Sequence, residues 1–189
     1  MEIIYTIPPY AGTASVVTLN EAKKQLRIEH DYEDEEIQGF IDSAVAEAES
    51  YIGSILLERE VTFSIAGWVD RFNFPLGPVN GVTSVGVVKE GVPGVYEPLN
   101  AASYKFYNFS NGKYQLIFRK EALALKLEPD TLDAIKITSS LGWSKANLPK
   151  DIIKAVKLIL TDAYEFRGEK DLKLNRSSRN LLRPYKHWA

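Results

Sequence analysis

The period of the hydrophobic pattern changes twice along this chain, and the two changes limit the folds open to it. After Asp31, apolar residues recur at helical spacing: Ile37, Phe40, Ile41, Ala44, Val45, Ala48, Tyr51, Ile52 and Ile55 form one stripe. From about Glu60 the spacing turns to alternation. "EVTFSI", "DRFNFP", "VTSVGVVK", "YKFYNF", "YQLIFR" and "DAIKITSS" are short runs rich in β-branched and aromatic residues. Helical spacing returns in "LPKDIIKAVKLILTDAYEFRG", where Ile152, Ile153, Val156, Ile159, Leu160, Ala163 and Tyr164 share a broad face. This order predicts an α+β protein. It has a small bundle of three main helices, an antiparallel β insertion between the second and third, and an extended C-terminal tail.

Local signals place the boundaries. Thr18 and Glu21 match a capping box ahead of a short helix with Leu19, Ala22 and Leu26 on one side. Asp31 stands where it can cap the second helix, whose first turn is acidic as the helix dipole favours, and Gly53 marks its end. Pro149 suits a first helical position and Gly168 a stop. "GPVNG", "EGVPG" and "SNGK" separate the strands with turn residues, and "NFSNGKYQLIF" reads as a hairpin. The expected organisation is an N-terminal extension or arm (1–17), a first helical part (18–57), a β insertion (58–142), a long third helix (143–168), and a linker with a C-terminal segment (169–189).

Chemistry is sparse. The two histidines, His30 and His187, have no nucleophile beside them in sequence. No G-x-S-x-G, P-loop or glycine-rich dinucleotide turn occurs. The chain has no cysteine, which rules out disulfides and thiolate metal sites. "EHDYEDEE" holds six acids in eight residues, but without the glycine turn and ligand spacing of an EF-hand. The reading is not an enzyme, with no catalytic residue, cofactor or metal. "MEIIYTIPPY" lacks a basic leader and an apolar signal core, and the longest apolar run, 155–160, is interrupted by Lys157. A soluble chain without a membrane partner is expected.

Charge is unevenly spread around a net of −2. The acids Asp31, Glu33, Asp34, Glu35 and Glu36 crowd one helix start. Seven Lys or Arg against two acids follow Arg167 inclusive, to the last residue. Opposite charges at opposite ends suit head-to-tail contacts between identical subunits, so the five acids are candidates for a subunit–subunit face. The ending "RNLLRPYKHWA" mixes bases with Tyr185 and Trp188, a pattern that can neutralise phosphates and stack bases. An overall pI of 5.8 weighs against a dedicated nucleic-acid binder. Arg, Tyr and Trp are also enriched in protein–protein hot spots, so the tail reads first as a docking peptide and second as a nucleic-acid-binding module.

The order of these pieces resembles the tailed-phage head–tail connector (adaptor, or head-completion) family of phages, prophages and gene-transfer agents. The resemblance rests on Val17-Thr18, Glu21-Ala22-Lys23, Leu26-Arg27-Ile28, His30-Asp31 with Glu33-Asp34, and Tyr51-Ile52-Gly53. "FPLGPVNGVTSVGVV", the proline-led third helix and "LLRPYKHW" continue it, and it spans roughly residues 16 to 189. "MEIIYTIPPYAGTAS" precedes the family's usual start, where "IIYTIPP" suits an edge strand or an arm. The resemblance implies a structural virion protein at the head–tail interface, made in the bacterial host cytoplasm. Its subunits would form a ring, expected to be a dodecamer, beneath the portal and join the capsid to the stopper or tail-completion protein. Double-stranded DNA would pass through the channel without sequence-specific contact. It also implies that the tail docks on the portal protein. Leu181, Leu182, Tyr185 and Trp188 would be buried there, with Arg179, Arg183 and Lys186 at the rim and Pro184 also among the docking residues.

Overall fold

Alternation and helical periodicity each close their own core in the computed structural model, which describes residues 3–9, 15–109, 112–167 and 175–187. The chain divides into two units. One is built from residues 1–9, 58–142 and 188–189, the other from 10–57 and 143–187.

The helical unit contains α1 (Leu19–Leu26), α2 (Asp34–Ile52), α4 (Lys150–Phe166) and α5 (Arg176–Leu182). α1 starts at the Thr18–Glu21 capping box, in which both reciprocal hydrogen bonds form. α2 stops at Gly53, which adopts the left-handed conformation (φ 62°) that lacks a Cβ penalty. Ile37, Ile41, Ala48 and Ile52 of α2 share one buried cluster with Ile152, Val156, Ile159 and Leu160 of α4. Two start signals resolve differently. Glu33, not Asp31, occupies the cap position of α2 and makes no side-chain capping bond; its carboxylate accepts from Tyr164 and Arg167, while that of Asp31 is engaged by Lys23. Pro149 precedes the first turn of α4 and does not enter it. Gly168 lies outside the described residues.

The β unit holds two antiparallel sheets. The first is ordered β1-β2-β8-β4-β5, from β1 (Ile4–Thr6), β2 (Arg59–Ile65), β4 (Val79–Val87), β5 (Glu97–Pro98) and β8 (Ile135–Leu141). The second is ordered β3-β7-β6, from β3 (Arg71–Asn73), β6 (Tyr104–Asn108) and β7 (Tyr114–Phe118). Strict alternation along β8 buries Ile135, Ile137, Ser139 and Leu141 on one face. The sheets meet through a cluster of rings, with Phe63 of β2 centred 5.7 Å from Phe72 and 5.4 Å from Phe74. Phe74 lies 5.9 Å from Phe106 of β6. β6 and β7 form the hairpin expected from "NFSNGKYQLIF". β1 is an edge strand paired with β2, Tyr5 opposite Phe63.

Three features differ from the sequence expectation. The described residues include five helices rather than three, the additions being one-turn α3 (Lys120–Leu123) and α5. Asn80 and Gly81, expected in a turn, lie within β4, where register shifts absorb the extra residue as bulges. The C-terminal segment is helical, not extended. Asn175 caps α5 by accepting the Ser178 N–H at 2.8 Å, and Pro184 fits the following 3₁₀ turn (Arg183–Tyr185), where a missing N–H is tolerated.

Candidate functional site

The C-terminal segment and the acidic helix start both lie in the helical unit. α5 turns Leu182 inward until it is fully buried in the α2–α4 core, with Leu181 and Tyr185 half-buried against the same cluster. The Tyr185 ring meets Trp143 edge-on at 6.4 Å, and its hydroxyl donates to Asp151 Oδ2 at 3.4 Å. Burial, reinforced by the Asp151 charge, pushes the Tyr185 phenol above its ordinary pKa. Lys186 Nζ stands 4.9 Å over the Tyr51 ring, and the His187 N–H donates to the Ile52 carbonyl at 2.7 Å. Arg179, Arg183 and Pro184 remain exposed. Trp188 lies outside the described residues. Leu181, Leu182 and Tyr185 of the predicted docking set therefore pack on this chain's own core, and Arg179, Arg183 and Pro184 are the exposed ones among its described members.

The acidic cluster is held from within. Lys23, buried on the inner side of α1, donates to Asp31 and, at 2.7 Å, to Asp34. Glu33 Oε2 accepts the Tyr164 hydroxyl at 2.5 Å and Arg167 at 3.2 Å, and Arg167 lies 3.5 Å from Glu36. The Tyr164 hydrogen bond, then Arg167, holds the Glu33 carboxyl below the usual carboxylate range, and Lys23 does the same for Asp31. The Glu35 side chain is exposed and forms no ion pair among the described residues. Sequence reasoning missed Lys23, Tyr164 and Arg167. The one signal for Lys23 was a lysine beside Ala22 and one turn from Leu19 and Leu26, on the apolar side of α1.

No group of three or more His, Cys, Asp or Glu among the described residues is arranged to hold a metal ion. A groove between α1 and α4 is lined by Gln25, Lys150, Ile153, Lys154, Lys157 and Leu158. No helix of the described residues is long and apolar enough to cross a membrane.

Helices in one unit and antiparallel sheets in the other define an α+β protein. Residues 16–87, from the α1 cap through β4, match the family model of the phage gp6-like head-tail connector protein. That match makes this stretch of the chain similar to the head–tail connector family. Three solved structures share the fold. A chain in the "neck of empty GTA particle computed with C6 symmetry" has a TM-score of 0.79 at 21% identity, covering 100% of this chain and 97% of that one. One in the virion of a native gene transfer agent (GTA) particle gives 0.76 at 21%, with the same coverage. One in the neck of the native GTA particle computed with C12 symmetry gives 0.73 at 18%, covering 98% and 96%. At these identities the likeness is one of fold. A comparison with curated proteins gives no match.

Proposed function

We propose that this protein is a structural connector of a tailed-phage-like particle. Copies of it form a ring beneath the portal, join the DNA-filled head to the stopper or tail, and leave a channel for DNA. The observation that carries this reading is the fold likeness, over nearly the full length of both chains, to a component of a particle neck computed with cyclic symmetry. The family match over residues 16–87 points the same way. On this reading the protein resides in the virion after synthesis in the host cytoplasm.

The proposed contacts follow from what each surface leaves exposed. The outward residues of the C-terminal segment, Arg179, Arg183 and Pro184, face the portal, while Leu181, Leu182 and Tyr185 hold the segment in shape. The acidic start of α2 (Asp31, Glu33, Asp34, Glu35, Glu36) faces the neighbouring subunit, with the exposed Glu35 foremost. A closed heterologous ring requires two complementary faces on each copy, and bases and acids at opposite ends of the sequence are suited to supply them. Mass measurement with negative-stain imaging, alone and with the cognate portal, tests the reading. Rings or portal-bound rings are expected, and a protein that stays monomeric with portal present would overturn it.

A further inference from the structure

The three-stranded sheet has one apolar face and one face without a single acid. Register places Arg71, Ile117 and Lys105 abreast across β3, β7 and β6, and Asn73, Gln115 and Tyr107 in the next row. Side chains alternate along each strand, so both rows share the face opposite buried Phe72 and Leu116. The Gln115 amide donates to Asn73 Oδ1 at 2.8 Å, as neighbours on one face do. Tyr107 and exposed Phe109 stack at 6.1 Å on that face, with Lys105 Nζ 5.0 Å over the Tyr107 ring. Arg119 is exposed and extends the Gln115–Ile117 row in extended conformation. Arg71, Lys105 and Arg119 form no ion pair among the described residues. The sequence carries the same bias. Residues 98–120 hold four bases, six aromatics and no acid, in a chain with 25 acids in 189 residues.

We propose that this face is a nucleic-acid backbone contact, where Arg71, Lys105 and Arg119 meet the phosphates of double-stranded DNA. A cation left unpaired on a rigid sheet, in a chain that neutralises Lys23 and Arg167 internally, is matched by a partner that is itself a polyanion. Two strand spacings separate Arg71 from Lys105, roughly 10 Å, and a duplex carries about six phosphates over that length. Asn73 and Gln115 are already bonded to each other, so the face grips backbone and reads no bases. The proposal rests on the connector reading for the identity of the polyanion, since a DNA channel brings a duplex to every subunit. The surface is distinct from the C-terminal segment.

The test is fluorescence anisotropy of a labelled duplex across a salt series. It compares the wild-type chain, R71Q/K105Q/R119Q, and K24Q/K150Q/K154Q as a control with equal charge loss on exposed helix positions. All six side chains are exposed, and circular dichroism checks that each variant is folded. The sheet-face variant is expected to bind at least about tenfold more weakly and to lose about 2.7 from the log–log salt slope, three contacts at about 0.9 each. The control should keep the wild-type slope. Absent wild-type binding at low salt, equal weakening in the control, or displacement of the DNA by polyglutamate at matched charge would each overturn the proposal, the last by pointing to an acidic protein. Co-sedimentation of the same samples with portal separates the two readings. Portal binding without a DNA effect removes this surface and leaves the connector. A DNA effect without portal binding keeps the surface and removes the connector.

Discussion

Glu33 shows how a surface acid becomes structural. Its carboxylate joins α2 to α4 by accepting from Tyr164 and pairing with Arg167, and those partners lower its pKa below the ordinary 4.5. A depressed carboxylate binds fewer protons in the folded state than in the unfolded one, so its stabilisation is present above the ordinary value. It is lost as pH falls through the folded value. Asp31, lowered from 3.8 by Lys23, adds to the same acid limb. Denaturant melts against pH should therefore show Glu33→Gln less stable than wild type at neutral pH, with the gap closing below about pH 4.5. A gap unchanged down to pH 2 would refute the linkage. Leu182 makes the opposite case, a residue of a basic terminus that belongs to the core. Leu182→Ala should cost about 2–5 kcal/mol by urea denaturation, whereas Arg183→Glu, on an exposed neighbour, should leave stability nearly unchanged.

At the scale of elements, α5 depends on its cap because seven residues are too few to hold a helix by propensity. Asn175→Ala removes the acceptor for Ser178 and should lower stability by about 1 kcal/mol in thermal or denaturant melts. No change would mean that Leu182 burial alone fixes the segment. The same shortness explains why α5 was not legible. "NRSSRNLL" carries two leucines and no full period, so it reads as linker and tail, while α2 and α4 declare themselves over four or more turns. Local chemistry was equally readable at the Thr18–Glu21 box, at Gly53 and in the β6–β7 hairpin, where donor and acceptor lie within a few residues. Pairings across long separations were hidden. Nothing near Glu33 in sequence announces Tyr164, and nothing near Arg71 announces Lys105. The candidate docking residues were visible as a composition, but which of them face inward was set by the α2–α4 core.

The whole molecule consists of two units, each with its own core; the helical unit bears the proposed portal and subunit faces, and the β unit bears the proposed DNA face. A connector joined to a protein partner and to DNA would gain from that division, because the two contacts make different electrostatic demands. A portal interface needs a few oriented charges around a fitted patch, whereas DNA in transit needs an unpaired cationic face that releases as readily as it binds. Weak, salt-sensitive backbone contact has that property and sequence-specific readout does not. The two functions should therefore separate by mutation. Arg179→Glu with Arg183→Glu, both exposed on the C-terminal segment, should abolish co-sedimentation with portal and leave duplex affinity close to wild type. R71Q/K105Q/R119Q should do the reverse, keeping portal binding while losing the duplex. Neither set touches a buried side chain, so both variants should melt near the wild-type temperature. If both lose portal and duplex together while remaining folded, binding follows net charge and not two surfaces, and the division of labour between the units falls.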